Sequence, residues 1–147
     1  MCQKLHAKKS SQSIVPGAGR TDEFAHEGDY DTYLQKIHQA DAMIAELWYA
    51  VQTDPFYKNN TTFIITTDHG RGSKCNNWTT HGFWVKGSGQ TWLAMLGAGV
   101  SPEGEVKQKQ QVYQKQIAAT VAALLGLQYK ANHRVAKAAC LWERGGK

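Results

Sequence analysis

The sequence predicts an α/β fold with an incomplete sheet, and three features carry that prediction. Phe63-Ile64-Ile65-Thr66 is a run of β-prone residues that leads into Asp68-His69-Gly70. Before it, from Tyr30 to Asp54, apolar residues recur at helical spacing. After it come a second apolar strand, Thr91 to Leu96, and a helix from Gln111 to Leu125. In open α/β sheets ligands bind just beyond the carboxyl ends of the strands, which is where Asp68 and His69 fall. Two metal-ligand types side by side at that point mark a site more than a turn.

Along the chain, residues 1–20 show no periodicity and read as a loose leader, with Pro16-Gly17-Ala18-Gly19 as its last turn-rich stretch. Asp22 and His26 then stand four residues apart, so a single helical turn can present both side chains to one ion. The competing reading is a helix-capping acid beside a surface histidine. Tyr33, Leu34, Ile37, Ile44, Trp48 and Val51 form one stripe of the next helix, which Asp54-Pro55 ends because a residue before proline avoids the α region. Asn59-Asn60 turns the chain into the strand at 62–66. Helix, turn and strand in that order make the second half of a βαβ crossover, whose first strand would precede Asp22.

The segment after His69 is a polar loop that nevertheless contains Arg71, Trp78 and His81, as functional loops on a rigid scaffold do. Phe83-Trp84-Val85 is a short strand candidate, Pro102-Glu103-Gly104 a turn, and Gly126 the stop of the last helix. From residue 130 to 147 the chain is a basic, aperiodic tail.

Length and composition limit the possibilities further. A chain of 147 residues can bury one sizeable core and forms no more than one domain. The formal charge of +5 divides into +4 over residues 1–21, −7 over residues 22–54 and +8 beyond. The basic residues are scattered and not interleaved with aromatics, which argues against a nucleic-acid surface. There is no apolar run of membrane-spanning length, and the basic start lacks the apolar core of a signal peptide, so no membrane partner is expected. Cys2, Cys75 and Cys140 show neither a disulfide framework nor a paired metal knuckle and read as ordinary thiols.

The ligand-type residues form two groups, Asp22 with His26 and His81, and Asp68 with His69. Three mixed nitrogen and oxygen ligands with an open position suit a catalytic zinc-like ion. Two such ions about 4 Å apart would clamp the attacking and leaving oxygens of a phosphoryl transfer.

The order Asp-x-x-x-His, strand-Asp-His-Gly and His-Gly resembles the C-terminal half of the alkaline-phosphatase-like metalloenzyme superfamily, which holds alkaline phosphatases, nucleotide pyrophosphatase/phosphodiesterases, cofactor-independent phosphoglycerate mutases and sulfatases. The similarity runs over residues 21–129 and includes the segment from Thr21 to Asp31, Thr67-Asp68-His69-Gly70-Arg71-Gly72 and the closing helix from Gln116. The resemblance implies the C-terminal portion of an α/β/α sandwich, with residues 1–20 as an unrelated leader and 130–147 as a tail. It implies two divalent metal ions, zinc foremost and manganese next. Asp22, His26 and His81 match the ligands of one ion; Asp68 and His69 match half of the other, which an earlier Asp and a Ser or Thr nucleophile complete in the family. No such nucleophile is identifiable among Ser10, Ser11, Ser13 and Thr21.

The expectation is therefore a fragment of a two-metal hydrolase of small phosphate mono- or diesters, inactive by itself, with Arg71 as a substrate contact. Sulfatase chemistry is disfavoured by the Asp-x-x-x-His motif. The alternatives are a non-catalytic metal-binding remnant and one half of a split enzyme completed by a partner chain that supplies the N-terminal half. Intact relatives are often extracytoplasmic.

Overall fold

The computed structural model describes residues 20–106 and 111–139. The expected leader, the first strand of the crossover, Ser10, Ser11 and Ser13, and the end of the basic tail lie outside the described residues. Where length predicts one domain, the residues gather in two compact units, one within Pro16–Ala98 and one within Gly99–Lys147. Burial gives the reason. Among the described residues the buried ones are small, namely Ala25, Gly72, Thr120 and Ala139, and no large side chain is fully enclosed to organise a single core.

The first unit begins with helix α1, Thr21–Glu27. Its first turn carries Asp22 and Glu23, whose negative charge suits the positive end of the helix dipole. Arg20 grips Glu23 through Nε–Oε2 at 2.7 Å and Nη2–Oε1 at 3.1 Å. That hydrogen bond holds the Glu23 carboxyl below its ordinary range. Gly28, at a φ of 77°, closes α1: its N–H donates to Ala25 O and the Asp29 N–H to Phe24 O. The turn positions Asp29 as the cap of helix α2, Tyr30–Thr53, where its Oδ1 accepts from the Thr32 N–H at 3.0 Å. As proline predicts, α2 stops at Asp54, which is extended at φ −88° and ψ 123°.

Strand β1, Thr62–Thr66, pairs antiparallel with strand β2, Leu93–Gly97, in the register Thr62↔Gly97 to Thr66↔Leu93. Threonine hydroxyls pin both ends: Thr62 Oγ1 donates to Ala98 O at 2.6 Å and Thr66 Oγ1 to Trp92 O at 2.7 Å. Trp48 of α2 meets Phe63 of β1 edge to face at 5.4 Å, so the helix stripe and the strand share an apolar contact. These helices and the two-stranded sheet constitute the incomplete α/β fold that the sequence predicts.

Residues 67–92 form the long connection between the strands, and here the expected strand Phe83–Val85 does not form. Val85 N–H donates to Gly82 O and Ser88 N–H to Val85 O, so the backbone closes consecutive turns and offers no ladder to a neighbour. Phe83 and Trp84 are 90% and 91% exposed, with each other as ring partners among the described residues.

In the second unit the expected helix at 111–125 is shorter. Tyr113 is extended, Gln114–Gln116 make one 3₁₀ turn, and helix α3 spans Ile117–Leu124. The Gln116 side chain accepts from the Tyr113 N–H at 2.9 Å, a start signal that periodicity alone does not show. Buried Thr120 donates to Gln116 O at 2.7 Å and accepts from the Ala139 N–H at 2.9 Å, tying the later segment back to α3. Among the described residues no helix is long and apolar enough to cross a membrane.

Candidate metal centre

The five candidate ligands Asp22, His26, Asp68, His69 and His81 lie in the first unit, contributed by α1 and by the connection after β1. One turn of α1 separates Asp22 from His26, and His26 Nε2 lies 3.4 Å from Asp22 Oδ2. The other oxygen of the same carboxylate, Oδ1, lies 3.7 Å from His69 Nε2 and 3.5 Å from His81 Nε2. Asp22, His69 and His81 thus present three donor atoms all within 4.8 Å of one another. The His69 and His81 rings stack with centroids 3.8 Å apart and a 20° tilt, which keeps the two imidazoles side by side next to Asp22.

His26 Nε2 approaches His81 Nε2 to 3.0 Å, so His26 adjoins the cluster on the side of Oδ2. Expected with Asp68 on a second ion, His69 in fact stands between two carboxylates, 3.6 Å from Asp68 Oδ2 and 3.7 Å from Asp22 Oδ1. Asp68 itself is 87% exposed, and its Oδ1 accepts from the His69 N–H at 2.9 Å.

The loop holds these side chains by backbone pairing. Gly70 N–H donates to Ser88 O at 2.8 Å, Gly72 N–H to Thr80 O at 3.0 Å and Ser73 N–H to Lys86 O at 3.2 Å. A Cβ on Gly70 would run into the carbonyl oxygens of Gly87 and Gln90, so glycine is needed there for close approach of two backbones. His69 Nδ1 lies 3.0 Å from Gly70 O, which fixes the tautomer with the proton on Nδ1 and the lone pair on Nε2.

Two further residues of the loop, Arg71 and Trp78, complete the surroundings. Arg71, expected at a substrate, turns its guanidinium to the Asp22 carboxylate and backbone and to Trp78 O. Trp78 packs edge-on against Tyr30 at 5.3 Å and against Tyr33 at 5.8 Å, which anchors the loop to α2. A tryptophan in an otherwise polar loop was the available signal. Beside the cluster an open cleft of about 250 Å³ is lined by Thr21, Asp22, Tyr33, Thr67, Asp68, His69, Arg71 and Trp92, among others.

One carboxylate oxygen and two imidazole nitrogens form a donor set that suits a divalent ion of the zinc type. Bonds of about 2.0–2.2 Å place tetrahedral donors roughly 3.3–3.5 Å apart, close to the separations from Asp22 Oδ1. The family model described as the Metalloenzyme superfamily matches residues 2–129. The chain belongs to this superfamily, part of the alkaline-phosphatase-like metalloenzymes. The matched span takes in residues 2–20, and it ends at Tyr129, before the basic tail. No curated protein and no solved structure gives a significant match. Family membership and the cluster together make this a metal-dependent protein with a candidate site for a divalent cation.

Proposed function

We propose that the chain is the metal-binding part of a hydrolase of phosphate mono- or diesters, with one divalent cation, zinc foremost, held by Asp22, His69 and His81. The observation that carries this reading is the convergence of those three donor atoms within 4.8 Å in a chain of the metalloenzyme superfamily. The bound cation would act as a Lewis acid toward a phosphoryl oxygen. Everything else is the work of the chain's own residues. Asp22 supplies the anionic ligand from the rigid turn of α1, and the Gly70 carbonyl keeps the Nε2 lone pair of His69 directed at the cluster. His26 stands beside Asp22 Oδ2 as a further donor. Thr21, Thr67 and Trp92 line the cleft in which a small phosphate ester would lie.

Asp68 Oδ2 lies 3.6 Å from His69 Nε2, and these two would begin a second site only where His69 leaves the first ion, because the one lone pair on Nε2 serves a single cation. With two ligands only, that site would bind weakly, and no oxygen nucleophile is assigned to it. The expected result is therefore binding of about one equivalent of zinc in calorimetric titration. Turnover of bis-p-nitrophenyl phosphate by the isolated chain should stay below about 1 s⁻¹, the low end of working enzymes. Absence of zinc and manganese binding would overturn the metal reading. Faster metal-dependent turnover, lost in Asp68→Ala, would show that the chain carries its own nucleophile.

A further inference from the structure

Arg71 addresses the same oxygen as the two histidines. Its Nη2 donates to Asp22 Oδ1, the atom that faces His69 Nε2 at 3.7 Å and His81 Nε2 at 3.5 Å. The same nitrogen donates to Asp22 O at 3.1 Å, and Nη1 donates to Trp78 O at 3.4 Å. The Arg71 side chain is 14% exposed and that of Asp22 48%, so the guanidinium is largely enclosed while solvent reaches the carboxylate. A guanidinium cannot shed its proton, which makes the positive charge permanent.

We propose that Arg71 is a positioning residue for Asp22 and a built-in competitor of the metal, setting how tightly the chain takes up a divalent cation. The inference rests on the metal reading above. Two consequences follow from the geometry. The fork between the Asp22 carboxylate and the Asp22 and Trp78 carbonyls fixes the rotamer of Asp22, so Oδ1 points at both imidazoles. A cation bound to that oxygen then stands within a few ångströms of a second positive charge, and the repulsion lowers its affinity. Arg71 thereby trades affinity for orientation: the site is held ready, and a cation must displace or share the arginine's bond to enter. This is a different task from gripping a substrate phosphate, since the contacts of the guanidinium run to Asp22 and to Trp78.

The test is a zinc titration of the full chain, stripped beforehand with a chelator, for wild type, Arg71→Gln and Arg71→Lys. Arg71→Gln removes the charge and keeps an amide donor, and it should bind zinc about tenfold more tightly. Arg71→Lys keeps the charge and should bind no more tightly than wild type. Zinc affinity of Arg71→Gln equal to or below that of wild type overturns the proposal. Should Arg71→Gln lose its far-ultraviolet circular dichroism, the wild type still decides: zinc saturation must shift the guanidinium ¹⁵N resonance of Arg71, and an unmoved resonance overturns the inference. A wild-type chain that binds no zinc overturns the underlying metal reading, whereas zinc binding with no effect of Arg71→Gln overturns this inference alone.

Discussion

Asp22 is the residue on which the candidate site turns. One carboxylate faces three imidazoles and a guanidinium, with Oδ2 toward His26 and Oδ1 toward His69, His81 and Arg71. His81 and Asp68 differ sharply in this respect. His81 touches Asp22, His26 and His69 and is 31% exposed, whereas Asp68 is 87% exposed and reaches His69. Loss of a mere orienting partner typically weakens a metal site ten- to a hundredfold. Removal of a ligand therefore costs more: His81→Ala should weaken zinc binding by over about a hundredfold, while Asp68→Ala should change it by less than about threefold. Titration calorimetry checks both. Equal losses in the two variants would mean that the principal ion sits between Asp68 and His69.

At the scale of elements, the joint between α1 and α2 sets where Asp22 and His26 stand. Gly28 closes one helix, and Asp29 opens the next through its bond to the Thr32 N–H. Hydrogen bonding by the Thr32 side chain first, and by its N–H next, to the charged carboxylate holds the pKa of Asp29 below the ordinary range. A carboxyl whose folded value is depressed contributes stability above its unfolded value and loses it as pH falls through the folded one. Helicity should thus fall on acidification below the ordinary carboxylate range. Asp29→Asn, which keeps an acceptor at the cap without a charge, should flatten the Asp29 share of that loss. Circular dichroism at 222 nm against pH for wild type and variant measures it; identical curves would assign the loss to other carboxyls, Glu23 with its Arg20 partner first.

For the whole molecule the thin core matters most. Tyr49, Phe56, Phe83 and Trp84 are each at least 70% exposed, and among the described residues the buried side chains are small. Stability drawn from apolar burial is correspondingly modest, so a ligand bound by the folded state carries unusual weight. Zinc at a hundred times its dissociation constant should add about 2.7 kcal/mol to the unfolding free energy. A rise in the melting midpoint on zinc addition, reversed by chelator, is the expected outcome. An unchanged midpoint at saturating zinc would place the ion on the unfolded chain as firmly as on the folded one.

Helix α2, strand β1, the Asp22/His26 pair and the Asp-His-Gly motif were all legible in the sequence, because each depends on spacing within a few residues. So was the superfamily, whose motifs are local as well. Local patterns also misled: Phe83-Trp84-Val85 has the composition of a strand but closes turns and pairs with no strand among the described residues. Tertiary structure alone decided which ligands share a place. Chain spacing grouped His69 with its neighbour Asp68, but the folded loop carries its ring to Asp22, 47 positions earlier in the chain, and to His81. It likewise set Arg71, expected at a substrate, against the Asp22 carboxylate. Such groupings depend on how the backbone of residues 69–73 pairs with residues 80–88, a long-range hydrogen-bonding pattern with no signature in the order of side chains.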